Sequence, residues 1–230
     1  MLFRSLYLLH YSFEIRSAAE NLFSQVHGVA YLLSHLVWLD ALNIDPDLRT
    51  VTAPSPSTFF LAALLLAPLI AALFAVRKNP LFGFGILWFY LQLLPANSFI
   101  PRSDIANERH LYLPLFGLCI AAGALAMQYR GRWQQNRRAA LAGFALVLCL
   151  LAAFTVRRNA AYASEIALWE DTVKKSPLKA RPHSNLGYAY YLAGRRGDAG
   201  REYRAALQCD PAFFKARRNL WRLETVGTGS

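Results

Sequence analysis

Four long runs without a charged side chain decide what this chain can fold into. Residues 57–76, STFFLAALLLAPLIAALFAV, rise about 30 Å as a helix, matching the hydrocarbon core of a bilayer. Residues 80–100 offer Trp88, Phe89 and Tyr90 for packing or for the membrane interface, and 111–128 and 139–156 complete the set. Gly117, Ala121, Ala122, Gly123 and Ala124 suit close helix contacts in lipid, as do Ala139, Ala140, Ala142 and Gly143. A fifth run, 21–39, is uncharged but wetter, holding Gln25, His27, Ser34 and His35. It reads as a spanning helix, with a re-entrant or interfacial helix as the alternative. The predicted fold is all-α, a polytopic transmembrane bundle of about five helices over 21–156 followed by a small helical domain.

Composition agrees. AVILMFWYC residues make up 55% and charged residues 17%, against roughly 45–50% on a nearly equivalent count and ~25% in soluble domains. That excludes a disordered chain, and three cysteines are too few for a disulfide scaffold. A net charge of +11 raises nucleic acid as a partner. The Arg and Lys residues, however, cluster between and after the apolar blocks, as in a membrane protein, and no nucleic-acid partner is expected. Residues 1–20 hold Arg4 and Arg16 but only Leu6-Tyr7-Leu8-Leu9 as a compact apolar stretch. That is too short for a signal-peptide core, so the internal helices are expected to direct insertion.

Loop charges give an orientation. Arg77 and Lys78 follow the first run, and the 128–139 connection carries Arg130, Arg132, Arg137 and Arg138 with no acid. The 101–111 loop is balanced, Arg102 and Arg109 against Asp104 and Glu108; the 39–57 loop is acidic, Asp40, Asp45 and Asp47 against Arg49. The positive-inside rule puts the two basic loops in the cytoplasm and the other two outside. By parity the tail after Val156 also lies outside, against the pull of Arg157 and Arg158. Compact loops suggest a bacterial inner membrane with the tail in the periplasm.

The tail has a different rhythm. In 164–176 (SEIALWEDTVKKS), Ile166, Trp169 and Val173 recur at helical spacing, and Pro177 ends the run. Over 180–213 the 34-residue tetratricopeptide (TPR) pattern fits in register: Leu186-Gly187, Tyr190, Ala199, Tyr203, Ala206 and Pro211. Small residues let two helices touch, aromatics fill the groove and proline stops the second helix. Trp169 and Thr172 lie one period before Tyr203 and Ala206, and Leu220 one period after Leu186, so a TPR domain over 163–226 holds one whole repeat between two halves. A solenoid this short is expected to lean on the membrane domain, a partner or another copy. From 157 to 230 it carries 14 Lys/Arg against 7 Asp/Glu, which suggests either a solvated face or a ligand such as an acidic peptide or anionic lipid.

Leu94 to Leu118, LPANSFIPRSDIANERHLYLPLFGL, leads through one more helix into this TPR tail. The arrangement resembles the membrane-embedded O-mannosyltransferase family with C-terminal TPRs, which are polytopic GT-C glycosyltransferases. Glu108-Arg109-His110-Leu111-Tyr112-Leu113-Pro114 matches that family's ER-x-LYLP signature. AENLFSQVHGVAYLLSHLVWLDALNIDPDL (19–48) is similar to its threonine–glutamine segment, with Ser24-Gln25 as the pair. The resemblance implies a polyprenyl-phosphate sugar donor and an arginine facing the lipid phosphate. Arg109, with Arg102, is the candidate, bidentate and charged; Glu108, Asp104 and His110 would support the loop. The plainer alternative pairs Arg109 with Glu108 or Asp104 and simply fixes the loop.

The family's acidic first loop, which would carry catalysis, has no counterpart here, so the catalytic residues stay unknown. Asp45-Pro46-Asp47, with Asn43, suits a helix-exit turn; a metal or catalytic role is the alternative. His27 and His35 lack further ligands and no metal is expected. No cofactor motif is present: there is no CxxC, Walker loop, GxGxxG or HExxH, and Cys119, Cys149 and Cys209 read as free thiols. Gly83 and Gly85 read as packing residues. Two functions remain. One is a membrane protein presenting a basic TPR platform to a protein partner outside the cytoplasm. The other is part of a lipid-phosphate-sugar-dependent protein glycosyltransferase, its catalytic half elsewhere.

Overall fold

The computed structural model describes residues 14–36, 38, 42–95, 97, 100–102 and 104–227, with backbone alone at 132, 133 and 226. The expectations on Arg4, on Leu6-Tyr7-Leu8-Leu9, on Asp40 and on the Arg132 side chain lie outside these residues. Every regular element among the described residues is helical. The chain divides into two compact units, Met1–Leu39 with Leu48–Leu148, and Asp40–Asp47 with Cys149–Ser230.

In the first unit, α1 spans Ala18–Ser34 and starts on a capping box: Ser17 accepts from the Glu20 amide while Glu20 accepts from the Ser17 amide at 2.9 Å. It buries Asn21, Ser24, Gln25, Gly28 and Leu32, a face too polar for lipid. Its 17 residues stop short of the expected 21–39 span, and it is not among the helices long and apolar enough to cross a membrane. α2 (Pro56–Ala75) is capped by Ser55 and α3 (Pro80–Leu93) by Asn79, each with proline in the first turn, where a missing N–H costs nothing. α3 ends at Leu93 rather than 100 because Pro95 disfavours helical geometry just before it.

α4 (Tyr112–Gln128) follows a single 3₁₀ turn, Glu108–Leu111, and α5 (Arg130–Gln135) is a short helix within the basic connection. α6, Arg137–Ala161, has 25 residues and buries none of them. Among the described residues three segments are long and apolar enough to span: Pro56–Ala75, Glu108–Gln128 and Arg137–Ala161; α3 is apolar but has 14 residues.

Glycines set the α3–α4 crossing. A Cβ on Gly85 would lie 2.5 Å from the Gly117 carbonyl and 3.0 Å from the Ala121 side chain, so the two backbones touch. A Cβ on Gly83 would strike Val76 at 2.7–2.8 Å, whereas Gly123 and Gly143 meet nothing within 4 Å. The expectation of close contact therefore holds for Gly117 and Ala121 and not for Gly123 or Gly143. Leu32, Phe89, Leu93, Ala106 and Leu111 form the unit's core.

The second unit is a stack of antiparallel helices, α7 (Glu165–Lys175), α8 (Ala180–Leu192), α9 (Arg196–Cys209) and α10 (Phe214–Gly227). Leu186, Tyr190, Ala199, Tyr203 and Ala206 are buried together, with Trp169, Leu220 and Leu223 packed on them. At Gly187 a Cβ would sit 2.8 Å from the Tyr203 ring, which is why the pattern wants glycine there. Gly194, at φ 76°, turns the chain between α8 and α9, and Pro211 follows the end of α9.

Candidate functional site

The 100–111 loop is held by its apolar residues and offers its cations. Ile105, Ala106 and Leu111 are buried, and Asn107 caps the 3₁₀ turn by accepting from the Arg109 amide at 3.2 Å. On α1, Gly28 admits the loop: a Cβ there would lie 3.1 Å from the Ile105 carbonyl. Arg102 and Arg109 are exposed, and neither forms an ion pair among the described residues. Asp104 and Glu108 are half-buried and engaged with other groups. His110 is half-buried with its Nδ1 unpartnered, and Arg102, Arg109 and Asp104 are the charges acting on it.

Behind this loop stands Arg16, which sequence reasoning counted only as a charge. It is 7% exposed and donates to the carbonyl of Arg102, while its Nε has no partner. Burial pulls its pKa below the ordinary arginine value, and Asp104 and Glu20 oppose that shift. An arginine directly before a capping box was the available signal. Arg16 thus braces the loop from behind, while the exposed Arg102 and Arg109 guanidiniums can each donate two parallel N–H bonds to a phosphate.

A cavity of about 350 Å³ opens among α1, α2 and α3, walled by Leu22, Val26, Phe59, Leu66 and Tyr90. Its polar end is Gln25 with Asn97 and Thr58. Asn97 Nδ2 donates to Gln25 Oε1 at 2.7 Å, which leaves Gln25 Nε2 and Asn97 Oδ1 buried without partners. Ser24, the other half of the pair, accepts from the Val51 amide at 2.9 Å and pins the following segment. His27 Nε2 meets Thr58 Oγ1 at 3.0 Å and His35 Nδ1 lies 2.7 Å from the Tyr31 carbonyl, so the two histidines serve separate contacts. Among the described residues no three His, Cys, Asp or Glu side chains gather as a metal site.

Asp45, read as part of a helix-exit turn or a catalytic pair, is instead an anchor inside the second unit. It is 4% exposed. Lys179 Nζ reaches its Oδ1 at 2.6 Å, Arg181 Nε reaches Oδ2 at 2.6 Å, and the Arg181 terminal nitrogen also donates to it. Ser176 donates to the Asp45 carbonyl at 2.9 Å and accepts from Asn43 at 2.8 Å; Lys175 donates to the Leu42 carbonyl at 2.7 Å. The chain's own acidic segment is thus seated at the α7–α8 turn of the basic tail.

Comparison with known proteins gives protein O-mannosyl-transferase TMTC1 of Mus musculus at 29% identity over 84% of this chain and 22% of that protein. Its homologues are protein O-mannosyl-transferases. TMTC1 of Homo sapiens is 28% identical over 84% of the chain and 24% of that protein, and Tmtc3 of Drosophila melanogaster is 31% identical over 59% and 15%. The chain therefore spans less than a quarter of the length of these relatives. No protein-family model and no solved structure matches it. The resemblance read from ERHLYLP and the TPR register has its counterpart in these matches. All of those named are animal proteins, and nothing in them points to a bacterial membrane.

Proposed function

We propose that this glycosyltransferase-like membrane protein holds the phosphate of a polyprenyl-phosphate sugar carrier at Arg109 and Arg102, and presents its TPR tail to a protein partner outside the cytoplasm. The observation that carries the reading is the pair of exposed, unpaired guanidiniums on a loop fixed by buried Ile105, Ala106 and Leu111. A preset loop spends little ordering entropy on binding, and arginine suits a phosphate oxygen pair. The nearby polar groups Glu108, Asp104 and His110 act as support. The name of the relatives, protein O-mannosyl-transferase, supports mannose as the sugar and protein glycosylation as the process in this reading.

Binding of a polyprenyl phosphate to the full chain in detergent tests this. Exposed charge pairs are worth up to about 1 kcal/mol, so Arg109→Ala should weaken binding by roughly fivefold, while Arg217→Ala in the tail should not. Equal affinity in wild type and Arg109→Ala would refute it. For orientation, a reporter fused at the C-terminus that is active only in the cytoplasm would overturn the external tail.

A further inference from the structure

We propose that the cavity among α1, α2 and α3 binds an uncharged single-chain lipid alcohol, with Gln25 and Asn97 holding its hydroxyl and the apolar walls holding its hydrocarbon. The polar end carries the case. Gln25 is 3% exposed, and both it and Asn97 line the cavity. Their mutual bond of 2.7 Å leaves Gln25 Nε2 as a donor and Asn97 Oδ1 as an acceptor, both buried and without partners among the described residues. Turning both amides over exchanges the roles and again leaves one donor and one acceptor. The other polar groups of the wall are engaged: Thr58 meets His27 Nε2 at 3.0 Å, and the Tyr90 hydroxyl donates to the Leu65 carbonyl. Buried polar atoms are ordinarily paired, so a donor and an acceptor at one end of a cavity call for a group that is both. A hydroxyl is that group.

Charge and size narrow the class. Among the described residues lining the cavity there is no Asp, Glu, Lys, Arg or His, so a phosphate or ammonium head would lie there unpaired at a large desolvation cost. Arg102 and Arg109 have no part in this wall, and the proposal stands apart from the lipid-phosphate reading. A volume of about 350 Å³ is roughly ten times a water's share of about 30 Å³, so one water bridging the amides would leave the apolar walls unfilled. It also lies near the low end of the ~300–1,000 Å³ typical of ligand pockets, which suits one hydrocarbon chain better than two. The lipid has a way in. Leu22, Phe59, Leu66 and Leu94 line the cavity and are exposed, and Phe59 and Leu66 belong to α2, which is long and apolar enough to span a bilayer. The far end of the hydrocarbon can therefore run along α2 in lipid while the hydroxyl reaches the amides.

The full chain in phosphatidylcholine nanodiscs is photolabelled with hexadecanol carrying a mid-chain diazirine, against unlabelled hexadecanol, its methyl ether, hexadecyl phosphate and dioleoylglycerol as competitors. Labelling should saturate and map to α1 and α2. Hexadecanol should compete at least about fivefold better than the ether, which lacks the donor and leaves a buried acceptor unpaired, and better than the phosphate. Ala62→Phe, which sets a ring in the cavity wall, should abolish labelling. Gln25→Leu with Asn97→Leu removes both amides at similar volume, so labelling should persist while alcohol and ether come within about twofold of each other. Arg109→Ala should change none of this; a matching loss there would make the cavity part of the lipid-phosphate site and overturn the proposal. Equal competition by alcohol and ether in the wild-type chain would overturn it without any variant, as would labelling that fails to saturate or survives Ala62→Phe. Stronger competition by dioleoylglycerol would assign the hydroxyl to a two-chain lipid and overturn the single-chain claim. Loss of polyprenyl-phosphate binding in Arg109→Ala bears on the lipid-phosphate reading alone.

Discussion

Replacing Asp45 tests whether the acidic segment is part of the tail's fold or merely rests on it. Asp45→Ala removes a carboxylate that is 5% exposed at its side chain, takes the anionic partner from Lys179 and Arg181, and leaves Lys179 its bond to the Pro46 carbonyl at 2.8 Å. Deleting one partner of a fully buried pair costs about 3–5 kcal/mol, because the other charge stays buried. Here the cations are 26% and 33% exposed and can rehydrate, so the loss should fall nearer about 2 kcal/mol. The hydrogen bonds through Ser176 and Asn43 survive, so the segment should loosen rather than detach completely. Hydrogen exchange on the full chain reads this directly. Amides around 43–47 and the α7–α8 turn should exchange roughly thirtyfold faster in Asp45→Ala, with α2–α4 unchanged. Asp45→Asn should recover part of the protection, since it keeps an acceptor for one donor. Unaltered exchange at the α7–α8 turn in Asp45→Ala would refute the anchor, whatever the ion-pair distances suggest.

Gly187→Leu should destabilise the tail by about 1–3 kcal/mol, because its Cβ meets the Tyr203 ring at 2.8 Å and Tyr203 is itself almost fully buried. Unchanged protease resistance of the tail would count against the TPR register. His183 donates from both ring nitrogens when protonated, to Glu202 at 2.7 Å and to the Pro177 carbonyl at 3.0 Å. The Glu202 bond raises its pKa above 6.5 and burial only partly offsets that, so its stabilisation is full below pH 6.5 and is lost as pH rises through the raised value. The melting temperature should therefore fall as pH rises above 6.5, and His183→Gln should remove that part of the slope; an identical slope in the variant would be the wrong outcome.

What could be read in the sequence follows from how local each cause is. The apolar runs and the TPR spacing are one-dimensional patterns, so α2, α4, α6 and the Leu186–Pro211 register were visible from periodicity and run length. The end of α3 was misplaced because absence of charge was read as helix, although Pro95 already limits what precedes it. α1 was read as a wetter spanning helix, with a re-entrant or interfacial helix as the alternative. Its buried face of Asn21, Ser24 and Gln25 makes sense only once the polar neighbours Val51 N–H and Asn97 are brought to it. Arg102 and Arg109 became candidates through a motif, whereas the bracing contact of Arg16 was not legible, since its partner is a carbonyl 86 positions away.

The Asp45 contact reaches the same topological constraint as charge counting, by an independent route. Segment 42–47 and the α7–α8 turn hold each other through side-chain bonds, so both must lie on one side of any membrane the chain crosses. Between them run α2, α3, α4 and α6. Three of these are long enough to span, and three crossings would leave segment and tail on opposite sides. Four crossings, with α3 as the fourth, would keep them on one side, although its 14 residues rise only about 21 Å. The α3–α4 packing makes that feasible: backbones in contact at Gly85 and Gly117 keep α3 antiparallel to a full-length helix, and Leu94 and the chain beyond it extend the apolar stretch. A short helix held against a long one can complete its crossing with irregular backbone only where protein, rather than lipid, satisfies that backbone.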